Sequence, residues 1–272
     1  MHDFLTMGFL QRALLAGILV SGLCGVLSVF VVLRRMAFIG VGISHSAFGG
    51  VALGFLLAVS PFWSGVGFAA VVALLIEWAR SRGQVEEDTA IGIMFSASMA
   101  LGVIFLHLSR SYNVDVFGFL FGNILAVREG QLWEILFMAT GMLAIVFAFF
   151  KEIVFLSFDE AMAWVSGVPV SFLRYLFLLV LALAVVVSIY LVGIILVEAL
   201  LVIPGAVARN LTRQIRHMTA VSAGVAVGAT VVGLGLSYWL DLPTGASIVG
   251  VLSLCFFAAL GWRGAPARWL SG

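Results

Sequence analysis

The chain has 272 residues, is 63% hydrophobic and only 10% charged, and carries a net charge of +1 with a mean hydropathy of +1.22. No soluble domain of this length can hide so much apolar surface, so the composition selects an all-α polytopic membrane protein. The near-neutral charge argues against nucleic acid as a partner. The one lysine, Lys151, lies between Phe150 and Glu152, which rules out a G-x-x-x-x-G-K-[ST] phosphate loop. If ATP drives this protein, another chain hydrolyses it.

In chain order, Leu14–Leu33 is the first apolar run, closed by Arg34-Arg35. It has no basic n-region and no A-x-A cleavage site, so it reads as a retained span. Met36–Ser60 follows, broken by Gly40, Gly42, Gly49, Gly50 and Gly54, with Ser44-His45-Ser46 at its middle. Phe62–Ala79 ends at Arg80 and Arg82, and the acidic turn Glu86-Glu87-Asp88 leads into Thr89–Leu108. Ser109–Val127 mixes Arg110, Asn113, Asp115 and Asn123 with aromatics, which suits an interfacial or re-entrant piece better than a crossing. Leu132–Phe150 spans again. Lys151–Pro169 is the longest polar-rich connection, and Phe172–Tyr190, Val192–Arg209, Thr219–Trp239 and Ala246–Trp262 complete the spans.

This count is nine spans, or eight if one glycine-broken piece is re-entrant, in a single transmembrane domain over residues 1–272. The positive-inside rule tests it. With the N-terminus outside, only Arg12, Arg110 and Arg128 of the 14 basic residues fall outside. A crossing at Ser109–Val127 would put Lys151 on the wrong side and invert everything after it. Cys24 and Cys255 lie in opposite terminal spans without C-x-x-C spacing and read as small apolar residues.

Two ionisable residues stand well inside apolar runs. His45 is ten residues from Arg35, about 15 Å along a helix. Glu198 is eleven residues from Arg209, about 16 Å by the same rise. In a hydrocarbon core about 30 Å thick, both fall near the midplane. An imidazole and a carboxylate at matching depth suit a transient site for zinc, manganese or iron, or a proton relay, and the absence of nearby Cys argues against Cu(I). The bland alternative is a His–Glu hydrogen bond that fixes packing. Pro204, six residues after Glu198, lacks an N–H and frees the carbonyl of Leu200, which with Gly205 predicts a helix kink. Gly50-x-x-x-Gly54 is small-x-x-x-small spacing, which reads as close helix packing. Glu77 precedes Arg80 by three residues and is expected to pair with it.

The stretch Ser157–Gly167 predicts a short cytoplasmic helix, with Asp159 and Glu160 in its first turn and Gly167 near its end. By itself it reads equally well as a solvated linker.

Taken together, several pieces resemble the permease subunit of the zinc/manganese/iron ABC importer family over nearly the whole chain. They are Arg34-Arg35-Met36-Ala37-Phe38-Ile39-Gly40 with Ser44-His45-Ser46, and Asp88-Thr89-Ala90-Ile91-Gly92-Ile93-Met94. Val114-Asp115 with Leu120-Phe121-Gly122-Asn123-Ile124-Leu125, and Ser157-Phe158-Asp159 with Gly167-Val168-Pro169, continue the match. Val192-Gly193, Ile203-Pro204-Gly205-Ala206 and Asp241-Leu242-Pro243-Thr244-Gly245 complete it.

The resemblance implies a type II ABC importer-like permease in the bacterial cytoplasmic membrane. It implies a second copy of the permease, two cytoplasmic ATPase subunits that bind the ATP, and an extracytoplasmic metal-binding protein that delivers the ion. It makes the segment around residues 157–168, with Phe158, Asp159, Glu160, Ala161 and Gly167, the coupling helix. It also sets Ser44, His45, Ser46 and Ser96 along the translocation path.

This sequence departs from the family at three places. Val41 stands where members usually carry Asp, Ser96 where similar zinc importers often have a second His, and Glu198 where a small or hydroxyl residue is common. The reading that follows is a carboxylate moved from the His45 helix to the Glu198 helix. The competing class is a proton- or ion-coupled secondary transporter, which would need neither coupling helix nor ATPase. An intramembrane hydrolase finds no support, because no H-E-x-x-H occurs.

Overall fold

The structure is a computed structural model that describes residues 8–83, 85–109 and 129–267. The interfacial segment expected at Ser109–Val127 lies, Ser109 apart, outside the described residues. Every described element is helical: α1 (Gly8–Leu33), α2 (Ile39–Leu57), α3 (Pro61–Gly83), α4 (Glu87–Ser109), α5 (Glu129–Ala148), α6 (Phe150–Phe158), α7 (Glu160–Val165), α8 (Val170–Val192), α9 (Ile194–Leu211), α10 (Ile215–Leu240) and α11 (Thr244–Ala267). Among the described residues, eight helices are long and apolar enough to cross a membrane. A ninth crossing is available if Leu132–Ala148 and Phe150–Phe158, bent by 64° about Phe149, count as one broken span. This is the multi-span α-helical fold that the composition required; the glycine-broken Ile39–Leu57 is long enough to cross, and the difference between eight and nine falls on the bent α5–α6 pair.

The boundaries follow local chemistry. Pro61 opens α3 at a position where a missing N–H costs nothing, and Arg80 and Arg82 close it at the negative end of the helix dipole. Glu87 and Asp88 fill the first turn of α4, where negative charge is favoured. Gly193, at a φ of 83°, turns the chain between α8 and α9. The stretch expected as a polar connection, Lys151–Pro169, is instead mostly helix: α6 continues past Lys151, and α7 follows after the single residue Asp159.

The chain forms two compact units. The first holds α1, the start of α5 and α9 to α11. Here α9 packs against α1 through Gly205, where an added Cβ would lie 2.7 Å from the Ser28 carbonyl carbon. The Gly205 N–H donates to Ser28 Oγ at 2.8 Å, so a side chain of α1 takes up a backbone donor beside Pro204. Ser222 Oγ of α10 donates to the Gly25 carbonyl of α1 at 2.6 Å.

The second unit holds α2 to α4, the rest of α5, and α6 to α8 as far as Tyr190. Its centre is α2, which lies against both α3 and α4. A Cβ on Gly50 would come within 2.6 Å of Phe68 Cβ and 2.8 Å of Gly65 Cα, and one on Gly54 within 2.8 Å of Pro61 Cα. On another face, a Cβ on Gly49 would meet the Ser98 carbonyl at 2.8 Å. The small-x-x-x-small spacing therefore does what the sequence suggested: it lets helix backbones touch.

Candidate permeation and coupling sites

His45 lies on α2 in the second unit and is half-buried. Its Nδ1 is 2.9 Å from the carbonyl oxygen of Val41, one turn earlier. A carbonyl can only accept, so this contact requires a proton on Nδ1 and makes Nε2 the basic nitrogen of the neutral ring. Fixing the tautomer through the other ring nitrogen is how metal-binding imidazoles are usually oriented. The ring edge meets Phe95 of α4, with centroids 5.0 Å apart. Phe95 precedes Ser96, so α2 and α4 bring His45 beside the segment that carries Ser96.

The hydroxyls expected along the path are differently engaged. Ser46 is buried and donates to the Gly42 carbonyl at 2.7 Å, and Ser96 is exposed and donates to the Gly92 carbonyl at 3.0 Å. Both bonds turn back onto their own helix. Ser44 is fully buried, and its Oγ finds no hydrogen-bond partner among the described residues.

Glu198 lies in the first unit, half-buried, in the second turn of α9. Helix α9 continues through Pro204 and Gly205 to Leu211. Among the described residues, no three His, Cys, Asp or Glu side chains come together as a metal centre.

The short helix α7 is built with care at both ends. Asp159 is its N-cap, and Asp159 Oδ1 accepts from the Met162 N–H at 2.9 Å. At the other end the Val168 N–H donates to the Ala163 carbonyl at 3.1 Å and the Gly167 N–H to the Trp164 carbonyl at 3.0 Å. Gly167 has a φ of 80°, and this pair of bonds is a Schellman stop that glycine permits. Ala163 is fully buried in an apolar cluster with Leu156, Val170 and Leu173. Phe158, Met162, Trp164 and Val165 are exposed around it, Trp164 by 72%. The segment is thus an anchored, doubly capped helix with large apolar side chains facing outward.

Beside α7 is a charge cluster. Glu77 is fully buried and is held by Arg174 Nε at 2.9 Å and Arg80 Nε at 3.5 Å. Arg80 Nε also meets Glu87 at 3.4 Å, and its Nη2 meets Glu160 Oε2 at 3.5 Å. Arg174 Nη1 donates to Glu160 Oε1. The pairing of Glu77 with Arg80 was legible from their spacing; Arg174, Glu87 and the link to Glu160 were not. Glu87 begins α4 and Glu160 begins α7, and Arg80 brings these two helix starts side by side.

Eight or nine apolar helices long enough to cross a membrane, with one short capped helix among the connections, define a multi-pass membrane protein. Residues 6–263 match the ABC 3 transport family. The chain is 37% identical to the manganese transport system membrane protein MntC of Halalkalibacterium halodurans, across 99% of this chain and 96% of that protein. It is 35% identical to the manganese import system permease protein ScaB of Streptococcus gordonii, across 95% of this chain and 92% of that one. Among solved structures, PsaBC from Streptococcus pneumoniae in complex with Fab superimposes with a TM-score of 0.83 at 34% identity, covering 95% of this chain and 93% of the other. This chain belongs to the ABC 3 transport family and is a multi-pass membrane permease.

Proposed function

We propose that this chain is the permease subunit of an ATP-driven importer of divalent transition-metal ions, with manganese as its first-choice cargo and zinc and iron as the alternatives. The relatives named for manganese transport support the cargo. The observation that carries the coupling reading is α7: a six-residue helix would not persist in water, yet this one is capped at both ends and pinned by Ala163. Its exposed Phe158, Met162, Trp164 and Val165 form an apolar knob suited to a groove on a separate ATPase. Phe158, Asp159, Glu160, Ala161 and Gly167 belong to this coupling element. With no phosphate loop in the chain, ATP is bound and split by that partner. A homodimer of permeases and an extracytoplasmic metal-binding protein complete the assembly.

For the path, His45 offers Nε2 to the passing ion, and Glu198 supplies the carboxylate that other members would carry at the Val41 position. Val41 is one turn from His45 and its carbonyl orients the ring, so an acid there would share the imidazole's face. Ser44, Ser46 and Ser96 line this stretch, and Pro204 with Gly205 provides the weak point of the Glu198 helix.

The test is manganese uptake by cells lacking their own importers and supplied with the permease, its ATPase and its binding protein. Glu198→Gln should depress uptake, and Val41→Asp added to it should restore part of the loss. Normal uptake by Glu198→Gln, or no recovery in the double variant, removes the relocated carboxylate. Failure of the wild-type permease to retain an ATPase on purification, with uptake following the proton gradient, would instead favour a secondary transporter.

A further inference from the structure

Glu160 does more in this fold than sit in the first turn of α7. Its two oxygens go to different arginines, Oε1 to Arg174 of α8 and Oε2 to Arg80 of α3. Both arginines also hold Glu77, each at a different oxygen: Oε1 to Arg174 and Oε2 to Arg80. Glu160, Arg174, Glu77 and Arg80 thus form a closed ring of ion pairs, with Glu87 attached at Arg80. Glu77 is fully buried, whereas the Glu160 side chain is 44% exposed. The inner carboxylate fixes the arginines, and the outer one connects them to the short helix.

The connection continues inward. Arg80 lies in the last turn of α3, and α3 meets α2 backbone to backbone at Gly50 and Gly54. That same α2 carries His45. Charge pairs followed by glycine contacts make a short, stiff route with no flexible loop in it, all within one compact unit.

We propose that Glu160 is the positioning residue through which movement of α7 is passed to α3, and by α3 to the His45-bearing helix. The proposal rests on the reading of α7 as the coupling element. The charge count makes it separable from folding. In the ion pairs of this ring, among the described residues, three carboxylates, Glu77, Glu87 and Glu160, face two guanidiniums, Arg80 and Arg174. Neutralising Glu160 leaves Glu77 and Glu87 balancing both arginines, so the buried part of the ring keeps its pairing.

The experiment uses the complete complex of permease, ATPase and binding protein in proteoliposomes, with Mn²⁺ as the probe, and reads both ATP hydrolysis and manganese uptake. In Glu160→Gln, manganese moved per ATP hydrolysed should fall by at least about fivefold, the lower end of ordinary site-to-site coupling. Glu160→Asp, which keeps the charge, should recover much of the ratio, and Arg174→Lys, a point charge that cannot bridge two carboxylates as a fork, should fall between. An unchanged ratio in Glu160→Gln overturns the proposal. So does a parallel loss of assembly, hydrolysis and uptake, which would make Glu160 a direct ATPase contact or a folding residue. If even the wild-type permease binds no ATPase, the coupling reading itself has failed, and this proposal goes with it.

Discussion

The second unit is held together by different physics at its two levels. Within the hydrocarbon, α2 meets its neighbours through absent side chains: at Gly50 and Gly54 the backbones of α2 and α3 touch, and at Gly49 α2 approaches α4. Around α7, charges and caps take over: two arginines, three carboxylates, Asp159 as N-cap and Gly167 as helix stop. The difference tracks the solvent. Lipid offers no reward for apolar side-chain burial, so helices associate there by close packing. Near the headgroups water is at hand, and charged groups can be held in a network that remains adjustable. A rigid core that meets a polar, adjustable end is what a permease needs if force enters at one level and an ion moves at the other.

The largest expected effect comes from Glu77, the fully buried carboxylate of the charge cluster. Glu77→Gln strips both arginines of their shared inner partner, and breaking a buried pair in this way costs about 3–5 kcal/mol. Thermal unfolding of the purified permease, or its yield in membranes, should show a large loss. If Glu77→Gln is as stable as Glu160→Gln, burial does not separate the two carboxylates and the contrast between inner and outer ring is lost.

Next comes Gly50→Ala. The new methyl group would contact Gly65 Cα, which is backbone and cannot rotate away. The helices must separate, at a cost of about 1–3 kcal/mol. Gly67→Ala, on an exposed face of α3 with open space around it, serves as control and should be neutral or slightly stabilising in an unfolding assay. Equal effects at Gly50 and Gly67 would break the claim that backbone contact holds this level. Asp159→Ala is smaller again, about 1 kcal/mol from the lost cap. Its readout is local: weaker retention of the ATPase with little change in the unfolding temperature.

How far the sequence reached can be judged at the same two levels. The spans, Gly50-x-x-x-Gly54 and the short helix between Asp159 and Gly167 were legible, because each depends on residues near one another in the chain and on a fixed helical repeat. Glu77 with Arg80 was legible for the same reason. Arg174 was not, since nothing in the spacing of a residue nearly a hundred positions later announces that it returns to Glu77. Ser28 escaped notice as well: a serine in an apolar run is unremarkable until Gly205 is found against it. The bend at Phe149 has no proline or glycine to signal it, and so α6 was read as part of a span and part of a connection. His45 was legible as an imidazole deep in an apolar run, but the Val41 carbonyl that fixes its tautomer is a backbone group and is invisible to any motif.

His45 supplies the smallest expected effect on stability and the sharpest contrast with Glu77. Its contacts include a carbonyl of its own helix and the edge of Phe95. His45→Asn keeps an N–H that can reach the Val41 carbonyl, so the change in folding should stay near or below about 1 kcal/mol, the worth of one hydrogen bond. What the variant lacks is the basic Nε2. If that nitrogen meets the ion, manganese uptake should fall at least about tenfold, since even outer-shell changes at metal sites reach that size. ATP hydrolysis without added metal should be unaffected, because α7 and the charge cluster are untouched. Should His45→Asn lose stability on the scale of Glu77→Gln while its uptake falls only in proportion to the protein remaining, the imidazole is a packing group. The proposed path would then need another residue at its centre.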